Sequence, residues 1–169
     1  MDIAQVLPSL FVGSHPKSVD DIEKLRRDYG VTAVLNLQTD ADMASVSLLW
    51  DPLEAHYRTA CLHLVRLPVA EEQAEMRAKF LQCVRTLDDL LSREHTVFLH
   101  CTAGIARSPT VAIGYLRWCA GWELDAAVEH LLKLRQGCSP HIDALQFAMR
   151  SHLASRPTQI AWRCDSHDN

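Results

Sequence analysis

The sequence contains no run of about 18 apolar residues, so no membrane-spanning helix is expected. Its start, MDIAQVLPSLFVG, lacks the basic head and long apolar middle of a secretory signal, and the cytoplasm is the expected location. There is no excess of positive charge: the formal net charge is -4, which argues against a general nucleic-acid surface and leaves room only for a local positive site. No CxxC pair occurs and no cysteine–histidine spacing suits zinc, so neither a metal nor another cofactor is expected. Internal repeats and low-complexity segments are also missing.

What is present is enough for one compact domain. The chain has 169 residues, 48% of them hydrophobic and 22% charged. We assign residues 1–155 to that domain and 156–169 to a polar tail, in which Trp162 could dock. The cysteines are Cys61, Cys83, Cys101, Cys119, Cys138 and Cys164. Without a signal peptide a disulfide framework is not expected, and Cys83 and Cys119 sit in helical patterns as small core residues. Cys61 and Cys83 are the nearest upstream candidates for a redox partner of Cys101.

The hydrophobic pattern predicts an α/β domain with a mostly parallel central sheet flanked by helices. A strand pair spans Ala4–Val12 and ends at Gly13. A helix follows, capped by Ser18, with Asp20 and Asp21 at its positive end, Ile22 and Leu25 facing inward, and Gly30 as its stop. Val31–Leu37 reads as a buried strand. In the next segment Asp51 and Pro52 suggest a helix start. LHLVRLP is a short strand, and Glu71–Leu91 carries Met76, Phe80, Val84, Leu87 and Leu91 at helical spacing. Thr96–His100 is the next buried strand; helices follow over Pro109–Ala120, Leu124–Arg135 and Ile142–Ala154. Trp118 and Trp122 are read as core residues.

The informative stretch is FLHCTAGIARSP, Phe98–Pro109, at the C-terminal end of a central strand, where sites in such sheets lie. Thr102, Ala103, Gly104, Ile105 and Ala106 form a loop of mostly small residues, and Gly104 permits conformations closed to other residues. Such a loop lets successive N–H groups turn toward one centre. Ser108 is read as a helix cap and Pro109 as the first helical residue, so a positive helix end aims at the same centre. An anion site of this kind favours the thiolate form of Cys101, the nucleophilic form. Arg107 offers a planar fork for two phosphate oxygens, and Ser108 can donate a hydrogen bond to the sulfur. His100, at a buried strand end, is read as a brace for the loop.

This arrangement resembles the cysteine-dependent phosphatases, whose motif is HCx5R followed by Ser or Thr; His100, Cys101, Arg107 and Ser108 match it in full. The resemblance extends to the dual-specificity branch. It implies a phosphocysteine intermediate and an aspartate acid about 30 residues before the cysteine. No aspartate occurs between Asp51 and Asp88. Glu71, three residues past Pro68, is the leading substitute; Glu72, and some other group or water, are the alternatives.

A further resemblance, over Leu10–Leu153, is to the glucan phosphatases of the starch-excess and laforin type. It rests on LFVGSHPKSVDDIEKLRRDYGVTAVLNLQTDAD, on CTAGIAR with Ala106 in place of the family's last glycine, and on SPTVAIGY and SPHIDALQFA. That resemblance implies phosphorylated starch- or glycogen-like substrates bound through aromatics. Trp50 and Tyr57 are the candidate sugar contacts, and Arg66 a basic lining residue. Glu72 stands where the family places an aromatic. Two other readings stay open: a protein phosphatase acting on phosphorylated Ser, Thr or Tyr, and a catalytically weak phosphate- or glucan-binding module.

Overall fold

Five short apolar segments pair into one sheet in the computed structural model, which describes residues 1–154. β1 (Ile3–Leu7) and β2 (Leu10–Ser14) form an antiparallel pair around Pro8 and Ser9. β3 (Ala33–Asn36), β4 (His63–Arg66) and β5 (Val97–Cys101) run parallel to β2 and to each other, in the order β1-β2-β5-β3-β4. The chain is therefore an α/β domain with a mixed, mostly parallel sheet. Every residue of β3 and β5 is buried, because helices cover both faces of the sheet.

One face carries α1 (Val19–Asp28) and α3 (Trp50–Thr59), with the short α2 (Asp40–Ser45) between them in the chain. Ser18 caps α1 by accepting from the Asp21 N–H, and Ile22 and Leu25 pack with Phe11, Val34, Leu53, Tyr57 and Phe98. The other face carries α4 (Gln73–Ser92), α5 (Arg107–Trp118), α6 (Leu124–Leu134) and α7 (Ile142–Ala154). Here Val12, Leu35 and Leu99 meet Met76, Phe80, Val84 and Leu87 of α4 and Val111, Ile113 and Leu116 of α5. Gly114 allows the close approach of α5 to α4, since a Cβ there would stand 2.5 Å from the Phe80 ring. Trp118 packs edge-on to Phe80, with centroids 5.6 Å apart, and Trp122 is partly buried against the same core.

Several sequence expectations shift. The TDADMAS segment forms a helix of its own, α2, held by a reciprocal cap between Thr39 and Asp42. Asp51 does not cap α3, whose cap position is Leu49 with no side-chain bond. Along α4 the buried stripe takes in Cys83 and Leu90, while Leu91 is half-buried, because a 3.6-residue period drifts across 20 residues. Burial pushes the Cys83 thiol up to about 12. Trp162 and Cys164, with the tail from Arg156, lie outside the described residues. Among the described residues no helix is long and apolar enough to cross a membrane.

The parallel strands end in Ser14, Asn36, Arg66 and Cys101, so the loops that follow them share one edge of the sheet. Cys61 precedes β4 at the opposite edge and is exposed there, whereas Cys101 is buried. A Cys61 bridge to Cys101 would have to span the length of the sheet.

Candidate active site

The loop after β5 departs from the sequence reading at one point. Helix α5 begins at Arg107, with Ala106 in the cap position, so Ser108 is not the cap and Pro109 is the third helical residue. The earlier start has a consequence. Side chains in a helix lean toward its N-terminus, so a helical Arg107 folds back over the loop rather than out to solvent. Ser108, one residue on, is buried and places its Oγ 3.3 Å from Cys101 Sγ. A cavity of about 150 Å³ is lined by Cys101, Thr102, Ala103, Ile105, Ala106 and Arg107, with Asp42, Ser45 and Glu71 opposite. The N-terminus of the 12-residue α5 faces the same space, a setting that favours an anion.

The loop is held from below by buried side chains. His15 donates its backbone N–H to the Thr102 carbonyl (3.1 Å), and its Nδ1 lies 2.7 Å from the same oxygen. His100 Nδ1 lies 3.2 Å from the Cys101 carbonyl. Burial, with a minor contribution from His15, lowers the His100 pKa to about 3, so the ring is neutral and braces the loop. Arg135 donates to the Gly104 carbonyl (3.2 Å), the Val12 carbonyl (3.1 Å) and Asp2 (2.8 Å). Gly104 has φ +71°, and a Cβ there would sit 2.5 Å from the Gly13 backbone. Only glycine fits that turn without strain.

Arg107 is 2% exposed and fully engaged on one side. Its Nη1 donates to Asp42 Oδ2 (2.6 Å) and the Val69 carbonyl (2.8 Å); its Nη2 donates to Asp42 Oδ1 (3.0 Å) and Thr102 Oγ1 (3.2 Å). Burial works against the Arg107 charge, and the Asp42 bonds together with the neighbouring Cys101, Asp42 and Glu71 more than offset it, raising the Arg107 pKa above its ordinary value. Burial likewise disfavours the Asp42 charge, yet the bonds from Arg107 and Thr39 hold its carboxyl down at about 2. Asp42 is thus ionised at neutral pH and has no proton to give.

The carboxyl that remains at the cavity is Glu71, exposed on the loop between β4 and α4. Glu72 occupies the cap position of α4 and is not among the cavity residues. The sugar-contact expectations change more. Tyr57 is 1% exposed, locked in the core by its place on the inner side of α3, and cannot contact substrate. Burial also raises its pKa. Trp50 is half-buried against Tyr57, with the Arg66 guanidinium 4.9 Å above its ring. Arg66 is drawn aside by Asp40 (2.7 Å) and lines the cavity no more than Trp50 does.

Asp42, His15, Gln38 and Arg135 are the residues that sequence reading missed. Gln38 donates to Thr102 Oγ1 (3.3 Å) and is buried. The T-x-x-D spacing of Thr39 and Asp42 was a legible capping signal; nothing local marked Arg135, which lies 31 residues beyond Gly104.

The cavity brings a thiol, an arginine and a helix N-terminus together, a layout that fits the cysteine-dependent phosphatase class. Sequence comparison narrows the class: the chain belongs to the family of the dual specificity phosphatase catalytic domain, whose model matches residues 10–150. It is similar to laforin of Mus musculus, 30% identical over 161 residues, covering 89% of this chain and 49% of that protein. It is similar to the amyloplastic phosphoglucan phosphatase DSP4 of Castanea sativa, 27% identical, covering 94% of this chain and 43% of that one. Dual specificity protein phosphatase 4 of Homo sapiens is 29% identical over 81% of this chain and 31% of its own length. The chain therefore spans less than half the length of these relatives. The fold is shared with the crystal structure of PTPMT1 in complex with PI(5)P, at a TM-score of 0.73 and 18% identity over 90% of this chain and 97% of that one.

Proposed function

We propose that the domain hydrolyses phosphate monoesters in two steps through a phosphocysteine intermediate. Cys101 Sγ attacks phosphorus as the bond to the leaving oxygen breaks, and Glu71 supplies the proton that oxygen takes up. Arg107 and the N–H groups of the loop Thr102–Ala106 hold the remaining oxygens. Water then attacks phosphorus and gives a proton to the Glu71 carboxylate, the S–P bond breaks, and the Ser108 hydroxyl hydrogen-bonds the departing sulfur. The observation that carries this reading is the convergence of Cys101, Arg107 and Glu71 on one cavity, with Ser108 Oγ 3.3 Å from the sulfur.

We read the substrate as phosphorylated glucan of the starch or glycogen kind. The support is similarity to the chestnut phosphoglucan phosphatase across most of this chain. A phosphoprotein substrate is the second reading. It is favoured by the cavity itself, which no aromatic side chain lines among the described residues. A binding module of weak activity would follow from the missing aspartate; Glu71 at the cavity speaks for turnover instead.

The test is phosphate release from solubilised starch and glycogen beside a phosphopeptide panel, with p-nitrophenyl phosphate as a generic aryl ester. Faster release from glucan supports the first substrate, and faster release from peptides overturns it. Cys101→Ser abolishes all of it; surviving turnover sinks the nucleophile assignment. Glu71→Gln slows alkyl phosphates by about 100-fold and aryl phosphates far less, because aryl oxides leave without a proton. Equal losses on both would remove Glu71 from the acid's role.

A further inference from the structure

We propose that Asp42 is the positioning residue of Arg107 and decides which edge of the guanidinium meets the phosphoryl group, an inference that rests on the phosphatase reading above. A guanidinium can grip two oxygens through its end, with both Nη atoms, or through its side, with Nε and the neighbouring Nη. Asp42 takes the end, at 2.6 and 3.0 Å. The second Nη1 proton goes to the Val69 carbonyl at 2.8 Å. What remains is the side: Nε is buried without a partner, and Nη2 reaches only the Thr102 hydroxyl at 3.2 Å. Arg107 and Thr102 both line the cavity, so we infer that the unpaired edge is the one the anion meets.

Asp42 is well placed to aim a long side chain because it is itself immobilised. Its Oδ2 accepts from the Thr39 N–H and the Thr39 hydroxyl, both at 2.8 Å, and Thr39 Oγ1 accepts from the Asp42 N–H at 3.0 Å. The carboxylate and the phosphoryl group use different edges of one cation, so Asp42 need not leave when substrate arrives. Arg107 stands between the two negative groups. Holding it in advance removes the rotamer freedom that substrate would otherwise have to freeze. The same fork ties Asp42 to Val69, two residues before Glu71, and so joins the phosphate grip to the acid loop.

The opposite arrangement, an aspartate that plugs the arginine until displaced, predicts the opposite sign. In Asp42→Asn, kcat/KM for p-nitrophenyl phosphate falls about 10- to 100-fold, as a displaced positioning contact does. Competitive inhibition by inorganic phosphate weakens with it, while Asp42→Glu recovers part of both. In an Arg107→Lys background, Asp42→Asn changes phosphate affinity by less than about 3-fold, because the fork it positions is gone. If Asp42→Asn fails to fold, Thr39→Val carries the test: it frees Oδ2 from its hydroxyl donor and lowers phosphate affinity in the same direction. Unchanged or raised activity in the tested variant overturns the positioning role, as does full additivity with Arg107→Lys; both leave the phosphatase reading standing. A wild-type enzyme that cannot turn over the aryl ester sinks that reading and this inference together.

Discussion

The loop from Cys101 to Arg107 and the segment from Asp42 to Glu71 contribute to the same cavity and are built on different terms. The loop is a matter of backbone. Its residues are small, its one glycine takes a left-handed turn, and buried His15, His100 and Arg135 hold its carbonyls from beneath. The facing segment works through side chains. It sends Asp42 to Arg107 from a six-residue helix and leaves Glu71 exposed on a connecting loop. An anion cradle needs converging N–H groups at fixed positions, which demands a rigid floor. A proton donor needs reach and contact with water, which an exposed loop allows.

The sharpest way to break this comparison is at the residue that belongs to both walls. Arg107→Lys keeps the charge and loses the planar fork, so kcat/KM on p-nitrophenyl phosphate should fall about 100- to 1,000-fold, the usual cost of one lost oxyanion donor. A loss under 10-fold would mean that charge alone suffices and the fork geometry is incidental.

The loop floor can be tested by pH. The folded His100 pKa is depressed, to about 3, against about 6.5 in an unfolded chain. Below 6.5 the unfolded chain takes up a proton that the folded one refuses, so the stability of the neutral buried ring is present above pH 6.5 and is lost as pH falls toward 3. The stability gap between wild type and His100→Asn, measured by urea unfolding, should therefore narrow by about 1.4 kcal/mol per pH unit below 6.5. A gap independent of pH would show that His100 charges freely in the fold.

The smallest effect is expected on the facing segment. Trp50→Ala should leave kcat and KM for p-nitrophenyl phosphate within about 2-fold, since the indole packs under Arg66 outside the cavity. A large rise in KM confined to glucan would restore Trp50 as a sugar contact and sharpen the substrate choice.

Much of this was legible in the linear chain because the signals were local. The alternation of strands and helices, the Ser18 cap and the buried β5 follow from periodicity and capping within short windows. Cys101, Arg107 and Ser108 lie within eight consecutive residues, and their chemistry reads directly from spacing. The helix start was misplaced by two residues because Ser-Pro is a good opening in general, while here Arg107 is already helical and tied to Asp42 and Val69. Tyr57 was misjudged because a tyrosine on an amphipathic helix carries no mark of which side faces the sheet.

The sequence by itself determined the spacing of Cys101 and Arg107, the small-residue loop between them and the parallel-sheet setting that puts them at a strand end. These depend on neighbours in the chain, where covalent geometry limits what can happen. Tertiary structure alone decided that Asp42 meets Arg107 across 65 residues and that Arg135 supports Gly104 from 31 residues away. The first contact arises only when β3 and β5 lie side by side and bring their C-terminal loops to one edge, and the second only when α6 packs on α5 and β1, both consequences of packing two cores against one sheet.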